Sequence, residues 1–151
     1  GERTPLNDPQ ARGMIFGLTL QHTRGHMYKS ALEAVGFSIA QHLDIIQSYE
    51  LPLKKIMAVG GGTKNRLWLQ VIADITNQEI QTAKVTIGAS FGDALLAAVA
   101  VGNSPSFAEV AEKIEPAEVF TPNPQNHEVY TRYRKIFDEL YLRNKDLMQS
   151  L

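Results

Sequence analysis

The chain has 151 residues, 44% of them hydrophobic and 21% charged, with a formal net charge of −1 and no cysteine. That balance suits one soluble globular domain and gives no electrostatic case for nucleic acid or an anionic membrane as partner. Without a thiol, disulfides and thiolate metal sites are excluded, which fits a reducing, cytoplasmic setting.

A domain of this size buries roughly 70% of its unfolded surface, enough for a real core. No apolar run approaches the roughly 18 residues that span a bilayer. The chain begins GERTPLNDPQARG, with charge and proline where a signal peptide has its apolar core, and with no initiator Met. The expectation is that residue 1 is not the natural start and that the chain is a piece of a longer one.

Gly1 to Gly13 is expected as loop, on its two prolines and the Asn7-Asp8-Pro9 run. Met14 to Leu20 is short and apolar, broken by Gly17, and fits a strand or a turn of helix. Thr23 is placed to cap a long helix that runs to about Tyr49 and stops before Pro52. Met27, Ala31, Val35, Ile39, Leu43 and Ile46 form its apolar stripe. Ala34, Phe37 and Ala40 widen that stripe, so burial on two sides is expected.

Lys55 to Val59 is a buried-strand candidate, and Asn65 to Thr76 a helix with Leu67, Val71, Ile72 and Ile75 on one face. Glu79 to Thr82 is a second strand candidate. A loop with Gly88 leads to a small-residue helix, Phe91 to Val101, stopped by Gly102. Ser106 can cap a short helix, Phe107 to Ile114, and Pro116 to Gln125 is a proline-rich connector. Asn126 to Met148 is an amphipathic helix whose apolar side holds Val129, Tyr133, Ile136, Phe137, Leu140, Tyr141 and Leu147. Helices alternating with strands predict α/β layers. Two strands are few for a whole sheet, so more of it is expected upstream of residue 1.

The stretch Val59-Gly60-Gly61-Gly62-Thr63-Lys64-Asn65 lies between a strand and a helix. It is not a Walker loop: Lys64 follows Thr63 rather than Gly, and no Ser or Thr follows it. A dinucleotide fingerprint needs glycine where Asn65 stands. Two readings stay open. Glycines let a ligand approach the backbone with no Cβ in the way, and Asn65 can offer it an amide. Alternatively the run is only a tight turn with Asn65 as helix cap.

Three stretches together resemble a known family: GERTPLNDPQARGMIFGLTLQHTRGHMYKSALEAV, then VGGGTKNRLWLQVIADI, then GDALLAAVAVG. In order and spacing they are similar to the C-terminal lobe of the FGGY carbohydrate kinases, most closely its xylulokinase-like branch. The resemblance runs from residue 1 to about residue 103, and the last helix fits more loosely. It implies an actin-like (ribonuclease H-like) ATPase fold of two lobes, residues 1–151 being C-terminal nucleotide-binding domain. It implies phosphorylation of a sugar hydroxyl by ATP with Mg²⁺, on a pentulose such as xylulose. Gly61 and Asn65 match the family's adenosine contacts, with Gly60, Gly62, Thr63 and Lys64 as neighbours. Catalytic Asp, sugar site and phosphate loops belong to the family's upstream parts, so neither a catalytic residue nor a metal ligand is expected here. Departures are Asn65, where the branch often has Ser, and the run before Ala94, which lacks a Glu that many members carry. A homodimer is a possible assembly.

Other residues have plainer readings. His22 and His26 are four apart but lack the Glu of a metalloprotease motif, so a satisfied or solvated pair is expected. Asp8, Asp74 and Asp93 are candidate acids with no catalytic partner in sequence. Glu2 and Arg3 suggest a loop salt bridge. Trp68 can stack on a purine, but core packing is the favoured reading. Arg132, Arg134, Lys135 and Arg143 alternate with acids as a solvated face. Beside the kinase reading stand two others: a non-catalytic interaction module on the same fold, and a nucleotide-binding α/β protein with no sugar role.

Overall fold

The computed structural model describes residues 1–84, 89–112 and 114–151. The element order is α1 Arg24–Ser48, β1 Ile56–Ala58, a 3-10 turn Gly61–Lys64, α2 Arg66–Thr76, β2 Ile80–Ala83, α3 Ala89–Ala100, α4 Phe107–Glu112, β3 Pro116–Phe120 and α5 Pro124–Gln149. The loop expected around Gly88 lies outside the described residues.

The sheet has the order β1-β2-β3. β1 and β2 are parallel, with Ile56 opposite Ile80 and Ala58 opposite Thr82. α2 makes the crossover between them, as a parallel pair requires. β3 returns antiparallel to β2, with Ile80 opposite Phe120 and an irregularity between Gln81 and Ala83. β3 corrects the expected connector. Proline is tolerated at the first residue of an edge strand, and Pro116 stands there. The connector is only residues 121–123. Asn123 then caps α5, its side chain accepting from the Gln125 and Asn126 N–H groups, and Pro124 takes the first helical position.

α2 is the centre of the molecule. One side packs Leu69, Ile72 and Ala73 against Ile80 and Phe120 of the sheet. The other packs Val71 and Ile75 against Phe37 and Ala40 of α1 and Tyr130 of α5. Phe37 meets the rings of Tyr130 at 6.1 Å and Phe137 at 5.3 Å. Leu67, expected on the buried face, is exposed, and Leu69 takes the core position.

The buried face of α1 is Leu32, Gly36, Phe37 and Ala40, not the expected stripe. Met27 and Val35 of that stripe are exposed, while Phe37 and Ala40, expected only to widen it, are the buried ones. The stripe is displaced because α1 approaches α2 at its glycine. A Cβ on Gly36 would lie 2.6 Å from Ile75 Cδ1. A mid-helix glycine costs about 1 kcal/mol relative to alanine, and here it allows the two helices to touch. On α5, Tyr130 and Met148 are the buried residues, while Tyr133, Ile136 and Leu147 are exposed. Met14 to Leu20 forms neither strand nor helix and stays exposed, Phe16 at 67%. α3 begins at Ala89, two residues before the expected start, and buries no residue. Gly102, at φ +79°, ends the following turn.

Candidate functional site

The glycine run closes the gap between β1 and α2 as one 3-10 turn. Its bonds are local: Thr63 N–H and hydroxyl both donate to Gly60 C=O, at 3.2 and 2.7 Å, and Asn65 N–H donates to Gly62 C=O at 3.0 Å. Each glycine stands in a different situation. Gly60 has φ +91°, a left-handed backbone that L side chains rarely adopt. Gly62 lies against Trp68, whose Cζ3 would be 2.9 Å from an added Cβ. Gly61 has neither constraint: no positive φ is found there, and an added Cβ would meet nothing within 4 Å. The fold therefore needs glycine at 60 and 62 but not at 61.

Asn65 is the cap of α2. Its Oδ1 accepts from Trp68 N–H at 3.2 Å, which fixes the amide so that Nδ2 points the other way, and Nδ2 donates to the Tyr28 hydroxyl at 3.0 Å. The helix-cap reading of Asn65 is thus realised, and its second donor ties the turn to the first turns of α1. Trp68 takes the core position favoured for it. It packs on the α2–sheet core and lies beneath Gly62. Its Nε1 is buried with no hydrogen-bond partner among the described residues.

The candidate acids separate cleanly. Asp74 is 2% exposed. Its Oδ1 accepts from Gln70 Nε2 and from Asn123 N–H, both at 2.8 Å, and its Oδ2 from Asn126 Nδ2 at 2.8 Å. Its backbone C=O is 2.9 Å from His127 Nδ1. A carboxylate at the start of α5 is also favoured by the helix dipole. Asp74 therefore fastens the end of α2 to the start of α5. Asp8 ties the N-terminal loop to α5: Oδ1 accepts from Gln10 N–H at 2.8 Å and Oδ2 from Tyr141 OH at 3.0 Å. The Gln10 N–H is the main cause holding the Asp8 carboxyl below its ordinary pKa, outweighing burial. The same bond to Asp8 raises the Tyr141 phenol. Asp93 is exposed on α3, beyond its first turn.

The expected Glu2–Arg3 bridge is replaced by backbone bonding. Glu2 accepts from Thr4 N–H at 2.8 Å and Leu6 N–H at 2.9 Å. His22 and His26 each close a local turn, their Nδ1 atoms accepting from Thr19 N–H at 2.9 Å and Thr23 N–H at 3.1 Å. An Nδ1 that accepts leaves the ring proton on Nε2, so neither histidine offers a metal a free lone pair in this arrangement. Arg134 is not part of a solvated face: it donates to Asp44 at 2.6 Å and pairs with Asp138.

Sequence reasoning missed a polar cluster and a cavity. Lys29, Glu33 and Tyr130 bond to one another between α1 and α5, with Lys29 Nζ 2.8 Å from the Tyr130 oxygen. Burial pushes the Tyr130 phenol up, whereas for Lys29 burial is outweighed by Glu33 and Tyr130, which raise it. A cavity of about 660 Å³ opens between the N-terminal loop, α1 and α5, lined by Leu6, Met14, Ile45, Phe137 and Met148 among others. It contains no residue of the glycine turn. Its spacing signal is hidden because the lining residues come from three segments far apart in sequence. Among the described residues no helix is long and apolar enough to cross a membrane, and no group of three or more His, Asp or Glu residues could hold a metal ion.

A parallel pair crossed over by a central helix, with a glycine turn at the strand-to-helix junction, is part of the C-terminal lobe of an actin-like (ribonuclease H-like) ATPase fold. Residues 1–101 match the FGGY family of carbohydrate kinases, C-terminal domain, and the chain belongs to that family. A xylulose kinase from Staphylococcus epidermidis is 36% identical across 100% of this chain, which spans 31% of that relative. A crystal structure of a xyloylose kinase from Brucella ovis superposes with a TM-score of 0.87 at 30% identity, covering 97% of this chain and 30% of that one. A gluconate kinase from Lactobacillus acidophilus gives a TM-score of 0.82 at 28% identity, over 95% of this chain and 29% of that one.

Proposed function

We propose that this chain supplies the adenosine-holding part of a kinase that phosphorylates a sugar hydroxyl, with a pentulose such as xylulose as acceptor. Family membership and the xylulose kinase relative support the reaction class. One observation carries the site: between two glycines that the fold requires, Gly61 is bare with open space before it. A missing Cβ that the fold does not need suits a flat ligand lying against the backbone. Gly60, Gly61, Gly62, Thr63 and Asn65 would form that surface. Bound ATP with Mg²⁺ would supply the phosphoryl group. The residues of this chain would hold and orient the nucleoside, leaving catalysis to positioning and charge stabilisation elsewhere in the lobes. Residues 1–151 would act as one nucleotide-binding domain in a cytoplasmic enzyme.

The test is Gly61→Leu in the full-length protein. The side chain enters open space, so thermal stability should be unchanged while ATP and adenosine affinity fall at least about tenfold, near 1.4 kcal/mol. Wild-type affinity in that variant overturns the site. Turnover assays with xylulose and gluconate test the acceptor, and activity on gluconate alone would overturn the pentulose assignment.

A further inference from the structure

Tyr28 lies outside the glycine turn in sequence, yet its hydroxyl is held by the turn's own cap residue. With Asn65 Oδ1 committed to Trp68 N–H, only the amide N–H of Asn65 can face Tyr28, so Tyr28 accepts in that bond. A phenol that has accepted one hydrogen bond still owns its proton. Tyr28 is 58% exposed, and its hydroxyl proton has no acceptor among the described residues. Donation from Asn65 also polarises the phenol, which makes it a better donor.

We infer that Tyr28 is a second polar contact for the nucleoside, donating its hydroxyl proton to an acceptor on the ligand while Asn65 holds its oxygen. The inference rests on the adenosine reading of the glycine turn and adds to it a residue from a different helix. The accepting group is either a ring nitrogen of the base or a ribose oxygen. Both have the same chemistry, a neutral acceptor within reach of a fixed O–H. The relay runs Asn65 N–H to Tyr28 O–H to ligand, so the two residues act together.

Calorimetric titration of the full-length protein with adenosine tests this, comparing wild type, Tyr28→Phe and Gly61→Leu. Tyr28→Phe should weaken adenosine binding roughly threefold to tenfold, the range for one neutral hydrogen bond, with the melting temperature unchanged. Repeating the titration with 2′,3′-dideoxyadenosine narrows the acceptor: a Tyr28→Phe loss that disappears places it on the 2′- or 3′-hydroxyl, and one that persists places it on the base or on O4′ or O5′, which the analogue keeps. Wild-type binding by Tyr28→Phe, with Gly61→Leu weakened, overturns the role of Tyr28 and leaves the site standing. Weaker binding by Tyr28→Phe together with a matching fall in melting temperature also overturns it, since it would mark a structural role. If both variants bind as wild type, the site itself fails and the inference falls with it.

Discussion

The two ends of α2 use polar side chains in opposite ways. At the C-terminal end, Asp74 is buried and accepts three hydrogen bonds from Gln70, Asn123 and Asn126, so its capacity is spent inside the protein. At the N-terminal end, Gly61 faces open space and the Tyr28 hydroxyl proton has no protein acceptor among the described residues. A saturated end builds structure. An end with a spare exposed donor and a bare backbone is where a ligand can be recognised. The carboxylate, which looks like the more reactive group in sequence, is the structural one.

Substitutions at each end should separate stability from binding. Asp74→Ala strands two donors at the start of α5, Asn123 N–H and Asn126 Nδ2, removes a bond from Gln70 on α2, and should cost about 3 kcal/mol in denaturant unfolding, the range for bonds to a buried charge. Adenosine affinity, measured on the folded fraction, should not change. Wild-type stability in that variant would break the contrast from the structural side. Gly62→Ala drives a Cβ against the Trp68 ring and should cost about 2 kcal/mol by overpacking. Trp68→Phe removes part of that ring system and should recover some of the loss, so a double-mutant cycle should be non-additive. Asn65→Ala removes the cap, at about 1 kcal/mol, and should weaken adenosine binding as well. A purely thermal effect would reduce Asn65 to a cap.

The smallest expected effect lies away from α2. Asp8 has a lowered folded pKa, so its contribution is fully present above the ordinary value of 3.8 and is lost as pH falls through the lower folded value. Tyr141→Phe removes one of the bonds that favour the charged form. Melting temperatures followed into acid should show that contribution disappearing at slightly higher pH in the variant.

The sequence carried the helices well, because long amphipathic segments and Gly, Pro and Thr punctuation are local signals. α1 was legible from Thr23 to Pro52, and Gly102 from its position after the alanine-rich run. β3 was not, because Pro116 and the prolines after it mask a strand whose identity depends on pairing with β2. The face of α1 was misplaced for a similar reason: Gly36 carries no hydrophobic signal, yet it is where α2 packs. At the candidate site, the glycines and Asn65 were legible as a cluster. Which glycine the fold could do without was not, since that depends on Trp68 and on the sign of φ. Tyr28 was invisible, standing 37 residues from the amide it meets.

The close approach at Gly36 has a mechanical consequence. Tyr28 and Asn65 ride on different helices, and a ligand gripped by both would sense any sliding between them. Because backbone and Ile75 meet there with no side chain between, α1 and α2 have little room to slip, and the two donors keep a fixed separation. A substitution at residue 36 would be felt as a change in grip near the start of the helix, about two turns from where it was made.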